Sequence, residues 1–226
     1  MRQKLPAPTV VLLVRHGLTP TTGKEMPYAG PGLSLSEEGR RQAEEVAQHI
    51  LEMRPGLPPL GALYTSPLVR TRETAAILGK VLDLSPVEKP SIADCDMGEW
   101  AGIPLKDLAR KPEWPTVVHY PSGFRFPGGE TIAAMQSRVV STVRELVAAH
   151  SGESIAVVSH ADPIKSVLAE ALGAHLDLFQ RLHVAPASVS GVTYAPSGPS
   201  IMFVNWTRRW PATSGGAGVP RRRGRR

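Results

Sequence analysis

Short apolar runs alternate with longer stretches in which apolar residues recur every three or four positions. That alternation predicts strands separated by amphipathic helices, an α/β protein. The apolar runs place strands at Thr9–Val14, Ala62–Thr65, Ser154–Val158, Ser188–Tyr194 and Ile201–Val204. The last two flank the turn-rich "APSGPS" and read as an antiparallel pair. Helix starts are marked by their chemistry. Ser34 stands three residues before Glu37, a capping-box spacing, ahead of "EGRRQAEEVAQHILEM". Ser66 and Pro67 suit an N-cap and first helical position before "LVRTRETAAIL", and Asp162 and Pro163 repeat the device before "IKSVLAEAL". A further helix, "GGETIAAMQSRVVSTVRELVAAH", opens with glycines and runs to about His150. Between Leu82 and Gly129 the pattern breaks down and proline is frequent, with one short helix at Leu105–Arg110. A connection of that length inside a compact domain is often functional.

Composition bounds the reading. With 226 residues, 42% of them hydrophobic, the chain has material for one sizeable core. No apolar run approaches 18 residues, so no membrane span is expected. The N-terminus begins basic and turns apolar. Its apolar run stops at Arg15–His16 without a small-residue cleavage site, so it reads as a strand and the protein as unsecreted. The single cysteine, Cys95, rules out an internal disulfide and lacks the companions of a zinc site; both suit a reducing cytoplasm. The net charge of +6 is local. Seven arginines lie beyond Thr207 with no acid among them, and setting them aside leaves −1 for the rest. Residues 1–8 therefore read as an extension, 9–206 as the domain, and 207–226 as a disordered Arg-rich tail. Such a tail can touch acidic surfaces or nucleic acid by unspecific electrostatics; no specific nucleic-acid partner is expected.

The candidate chemistry sits at three strand-to-helix junctions. The first strand ends in "VRHG", the second in "TS" with Arg70 about one turn on, the third in "VSHAD". If these strands are parallel neighbours, their carboxyl ends share the edge where open α/β sheets bind ligands. Arg15, His16, Arg70 and His160 then converge. Two guanidinium groups share a pocket when an anion lies between them, and planar forks suit phosphate or carboxylate. Two imidazoles beside a phosphate suggest phosphoryl transfer through nitrogen.

"LVRHGLT", "SPLVRTRETA" and "VVSHADPI" resemble the three signatures of the histidine phosphatase superfamily, also called phosphoglycerate mutase-like. "CDMGEWAG", "FPGGET" and "HLDLFQRLHVAPASVS" resemble a mostly actinobacterial branch of it classed as phosphomutases. The resemblance implies a three-layer α/β sandwich with a mostly parallel central sheet. It implies phosphomonoester hydrolysis through a phosphohistidine on His16, without metal or cofactor, on a small phosphorylated substrate. Phosphomutase action and non-catalytic binding of a phosphorylated ligand are the alternatives. Arg15, Arg70 and His160 would bind the phosphoryl oxygens, helped by Thr19 and the Ala161 N–H. The general acid falls on Asp94, where relatives usually carry glutamate; Asp96 and Glu99 are rivals close in sequence. Thr22 stands where asparagine is common, and Gly32 where an acidic residue is common, so the leaving-group pocket does not transfer. Glu130 matches a family position and could face the pocket; an acid in a helix's first turn explains it equally. Met97, Trp100 and Trp114 read as packing, and His175 and His183 show no partner in the sequence.

Overall fold

The computed structural model describes residues 7–28 and 32–207. The arginines beyond Thr207, and most of the N-terminal extension, lie outside the described residues. Six strands form one sheet in the order β3-β2-β4-β1-β5-β6. They are β1 (Thr9–Arg15), β2 (Leu60–Thr65), β3 (Pro86–Glu88), β4 (Ser154–Ser159), β5 (Val189–Ala195) and β6 (Gly198–Trp206). The β3–β2, β2–β4 and β4–β1 pairings are parallel; β5 runs antiparallel to both its neighbours. The sheet is thus mixed, with only β5 reversed. The register pairs Val10 with Ser154 and Arg15 with Ser159, so β1 and β4 end level with one another. The β5–β6 hairpin is the antiparallel pair expected from "APSGPS".

Helices cover both faces, because β1 and β4 are buried on both. Val10, Leu12 and Val14 point to one side, into a core shared with α1 (Glu37–Met53) and α2 (Val69–Leu82). Val11 and Leu13 point to the other. There they meet α5 (Ile132–Ala149), α6 (Ala161–Ala171) and the irregular stretch with its short helices α3 (Leu105–Leu108) and α4 (Trp114–His119). The result is an α/β sandwich of three layers. Trp100, Phe124 and Phe126 form the aromatic centre of the irregular stretch, with ring centroids 5.0–5.7 Å apart. Among the described residues no helix is long and apolar enough to cross a membrane.

Three caps differ from expectation. The N-cap of α1 is Ser36, whose hydroxyl accepts from the Gly39 N–H; Ser34 lies two residues too early. The N-cap position of α2 is Leu68, and that of α6 is His160. Neither makes a side-chain cap, so Ser66 and Asp162 are free for other contacts. The three-residue β3 was not anticipated: it begins with proline and is exposed throughout.

Candidate active site

A cleft of about 360 Å³ opens at the carboxyl ends of β1, β2 and β4. Arg15, His16, Thr19, Thr22, Arg70, Asp94 and Ala161 all line it. His160 lies behind the wall, fully buried, its ring centroid 5.3 Å from that of His16. The three junctions therefore meet, as the parallel arrangement of their strands requires.

Each side chain is held by something local. β1 carries Arg15 and His16 to its tip, where the His16 N–H bonds to the Ser159 carbonyl of β4. His16 Nδ1 is 2.7 Å from the carbonyl oxygen of Gly17. A carbonyl only accepts, so Nδ1 carries the proton. Burial, then His160, Arg15 and Arg70, hold this ring well below the ordinary histidine range. His16 is thus neutral, with its lone pair on Nε2. Thr19 and Thr22 join hydroxyls at 2.8 Å, and the Thr22 hydroxyl accepts the Thr19 N–H.

Arg70 is almost wholly buried on the first turn of α2. Its Nη2 donates to Asp94 Oδ2 at 2.9 Å and its Nη1 to the Tyr28 carbonyl at 3.1 Å. Asp94 is buried too, at 6% exposure. His160 Nε2 is 2.8 Å from the Ser66 hydroxyl, which also accepts the Leu68 N–H. Burial, then Arg70, Arg15 and Arg138, keep His160 neutral as well. Its Nδ1 lies 3.5 Å from Asp94 Oδ2 but makes no hydrogen bond. Arg15 Nη1 donates to the Val184 carbonyl at 2.7 Å, while its buried Nε makes none. Among the described residues neither Arg15 Nε nor His160 Nδ1 has a hydrogen-bond partner. Ala161 opens α6, so backbone N–H groups of its first turn face the same region.

Of the three candidate carboxylates only Asp94 lines the cleft. Asp96 turns back to the Gly98 N–H, and Glu99 is exposed on the short turn that follows. Glu130 is not part of the cleft. Its carboxylate makes a two-pronged pair with Arg138 at 2.8 Å on each prong. The cleft also takes in residues that the sequence pattern did not single out as functional. Asp162, Lys165, Gln180 and His183 line it, and so do Met97 and Trp114, which were expected only to pack. Lys165 Nζ bonds Gln180 Oε1 at 2.9 Å and lies 3.3 Å from Asp162 Oδ1. The "HADPIK" spacing held the clue for one of these: Lys165 lies one helical turn after Ala161 and shares its face. Among the described residues no group of three or more His, Cys, Asp or Glu side chains is placed to hold a metal ion.

Fold and cleft together define an α/β protein with a cation-lined pocket at the carboxyl edge of its sheet. The chain belongs to the histidine phosphatase superfamily, branch 1, whose family model matches residues 11–207. It is 34% identical over 203 residues to bifunctional protein Rv2228c of Mycobacterium tuberculosis, covering 88% of this chain and 54% of that one. The chain thus spans about half the length of that relative. It is 30% identical over 187 residues to phosphoserine phosphatase 1 of Hydrogenobacter thermophilus, covering 80% of this chain and 84% of the relative. A solved structure of a mycobacterial glucosyl-3-phosphoglycerate phosphatase superposes with a TM-score of 0.76 at 23% identity. That superposition covers 88% of this chain and 99% of the other, a likeness of fold. The superfamily is one of enzymes, and this chain is a member of it.

Proposed function

We propose that the chain hydrolyses small phosphomonoesters through a covalent phosphohistidine on His16. The observation that carries this reading is the cleft where Arg15, Arg70 and Asp94 stand beside a neutral His16 imidazole. A tetrahedral oxyanion held by the Arg15 guanidinium brings its phosphorus before His16 Nε2. Arg70 adds a second guanidinium to the same oxygens, and Ala161 a backbone N–H. Thr19 and Thr22 support the rim.

In the first step the Nε2 lone pair attacks phosphorus in line. The bond from phosphorus to the ester oxygen breaks, and Asp94 gives its proton to that oxygen. In the second, water attacks phosphorus and Asp94 takes the water's proton. The P–N bond breaks and its electron pair returns to Nε2. A phosphate entering the cleft competes with Asp94 for Arg70 Nη2, and a monoanionic phosphate brings the proton that the released carboxylate takes up before it acts as the acid. Positive charge comes from fixed arginines, and the reaction as drawn needs neither metal nor cofactor. The acting unit is residues 9–206. A reducing cytoplasm suits its one thiol, Cys95, which is buried.

The test is direct. Incubation with a radiolabelled phosphomonoester and an acid-free quench should trap base-stable, acid-labile phosphate on the protein, and His16→Ala should trap none. Sustained release of free phosphate favours the hydrolase; return of the label to an isomeric ester favours the mutase. Binding without a trapped intermediate or turnover overturns both. EDTA should leave the rate unchanged.

A further inference from the structure

The segment that carries Asp94 is irregular: between the 3-10 turns at Pro90–Ile92 and Gly98–Trp100 it belongs to no helix and no strand. Its backbone groups must find partners elsewhere, and three of its carbonyls find one side chain. Arg138, on the second turn of α5, has five N–H donors in a fixed plane. All five are engaged. Nε and Nη2 grip the Glu130 carboxylate at 2.8 Å each. Nη1 donates to the carbonyls of Ser91 and Ala93, and Nη2 to the carbonyl of Asp94 itself, again at 2.8 Å each. Glu130 holds the far side: its N–H donates to the Asp96 carbonyl at 2.9 Å, and its carboxylate accepts the Asp96 N–H at 3.4 Å. One Glu–Arg pair therefore fixes the backbone from Ser91 to Asp96 on both flanks of Asp94. Neither member of the pair lines the cleft.

An aspartate reaches one methylene less far than a glutamate. Its carboxyl group arrives at the leaving oxygen only if its own backbone is set at the right depth. We propose that Arg138, locked by Glu130, is the positioning residue for Asp94. The guanidinium fixes the main chain from which the acid is presented. This rests on the hydrolytic reading given above. The charge of Arg138 has a second effect in the same direction: it is one of the cations that keep His160 neutral.

Leaving-group dependence separates positioning from plain stability. An alkyl phosphate needs a proton on its departing oxygen, whereas p-nitrophenyl phosphate releases a stable phenolate without one. kcat/KM for each reports binding through the first phosphoryl transfer. Arg138→Lys keeps the charge but loses the planar five-donor fork. It should lower kcat/KM for the alkyl ester by about 100-fold or more, the size of a general-acid contribution. For the nitrophenyl ester the fall should be far smaller. Asp94→Asn should show the same selectivity, and Glu130→Gln a weaker version of it. Thermal melts identify a variant that does not fold; the near-isosteric Glu130→Gln carries the test if Arg138→Lys is one. A parallel fall for both esters, or no change for either, overturns the proposal while leaving the hydrolytic reading intact. Wild-type protein inert towards both esters overturns that reading and this one with it.

Discussion

At the residue scale the site turns on where one proton sits. His16 Nδ1 is protonated because a carbonyl faces it at 2.7 Å, and Nε2 is left as the base. Burial, then the His160 ring and the Arg15 and Arg70 guanidinium groups, hold its midpoint well below the ordinary histidine range. The imidazole carbon signals of His16 in a ¹³C-labelled sample should therefore remain in the neutral form at pH 5.5, about one unit below the usual histidine midpoint. The Arg70–Asp94 pair offers a different test. Both partners are nearly inaccessible to water. Deleting one leaves the other as an uncompensated buried charge, which costs about 3–5 kcal/mol. Arg70→Met should lose stability of that order in urea unfolding. Arg70→Met with Asp94→Asn should recover part of it, because the stranded carboxylate is gone. Additive losses in the double variant would contradict the pairing.

At the element scale the tip of β1 is fixed by a backbone crossing. A Cβ on Gly17 would overlap the Gly39 carbonyl of α1, and a Cβ on Gly39 would overlap the Leu18 carbonyl. Gly39→Ala forces β1 and α1 apart, at about 1–3 kcal/mol for an overpacked contact. It should also lower kcat, since the Gly17 carbonyl that orients His16 moves with that crossing; a melt and a steady-state assay check both. Contacts of this kind explain what the sequence could disclose. β1, β2, β4 and β5 were legible because burial on the sheet imposes apolar runs, and β6, an edge strand with no fully buried residue, from the short run Ile201–Val204 that follows "APSGPS". β3 was not, since an exposed edge strand of three residues imposes no pattern. The caps were misplaced where a nearby demand outbid the local rule. Ser66 serves His160, and Asp162 faces the cleft beside Lys165. Arg15, His16, Arg70 and His160 could be found because each ends or follows a strand. Glu130 was legible as a position but not as a role, because its partner Arg138 is fixed by tertiary folding. Lys165, Gln180 and His183 come from α6 and the segment after it. No spacing rule joins the latter two to "RHG".

At the scale of the whole molecule the cleft sets how the fold responds to acid. His16 and His160 are both neutral when folded, held so first by burial and then by surrounding positive charge. Unfolded, each regains an ordinary midpoint near 6.5. Below that pH the unfolded chain binds protons that the folded chain does not, so stability falls as pH falls and is fully present above about 6.5. Between pH 6.5 and 5.5 each histidine should withdraw about 1 kcal/mol, about 2 kcal/mol for the pair. Asp177, whose carboxyl is held below its usual range by hydrogen bonds from Ser122, acts in the same direction only at lower pH. Urea midpoints taken across the interval measure the slope, and His16→Asn and His160→Asn should each flatten it by roughly half. The slope is the readout rather than the stability itself, because either substitution also disturbs packing. Unchanged slopes in both variants would mean that each imidazole takes up protons equally in the folded and unfolded chain, so that burial and the surrounding cations do not hold the two rings neutral through that interval.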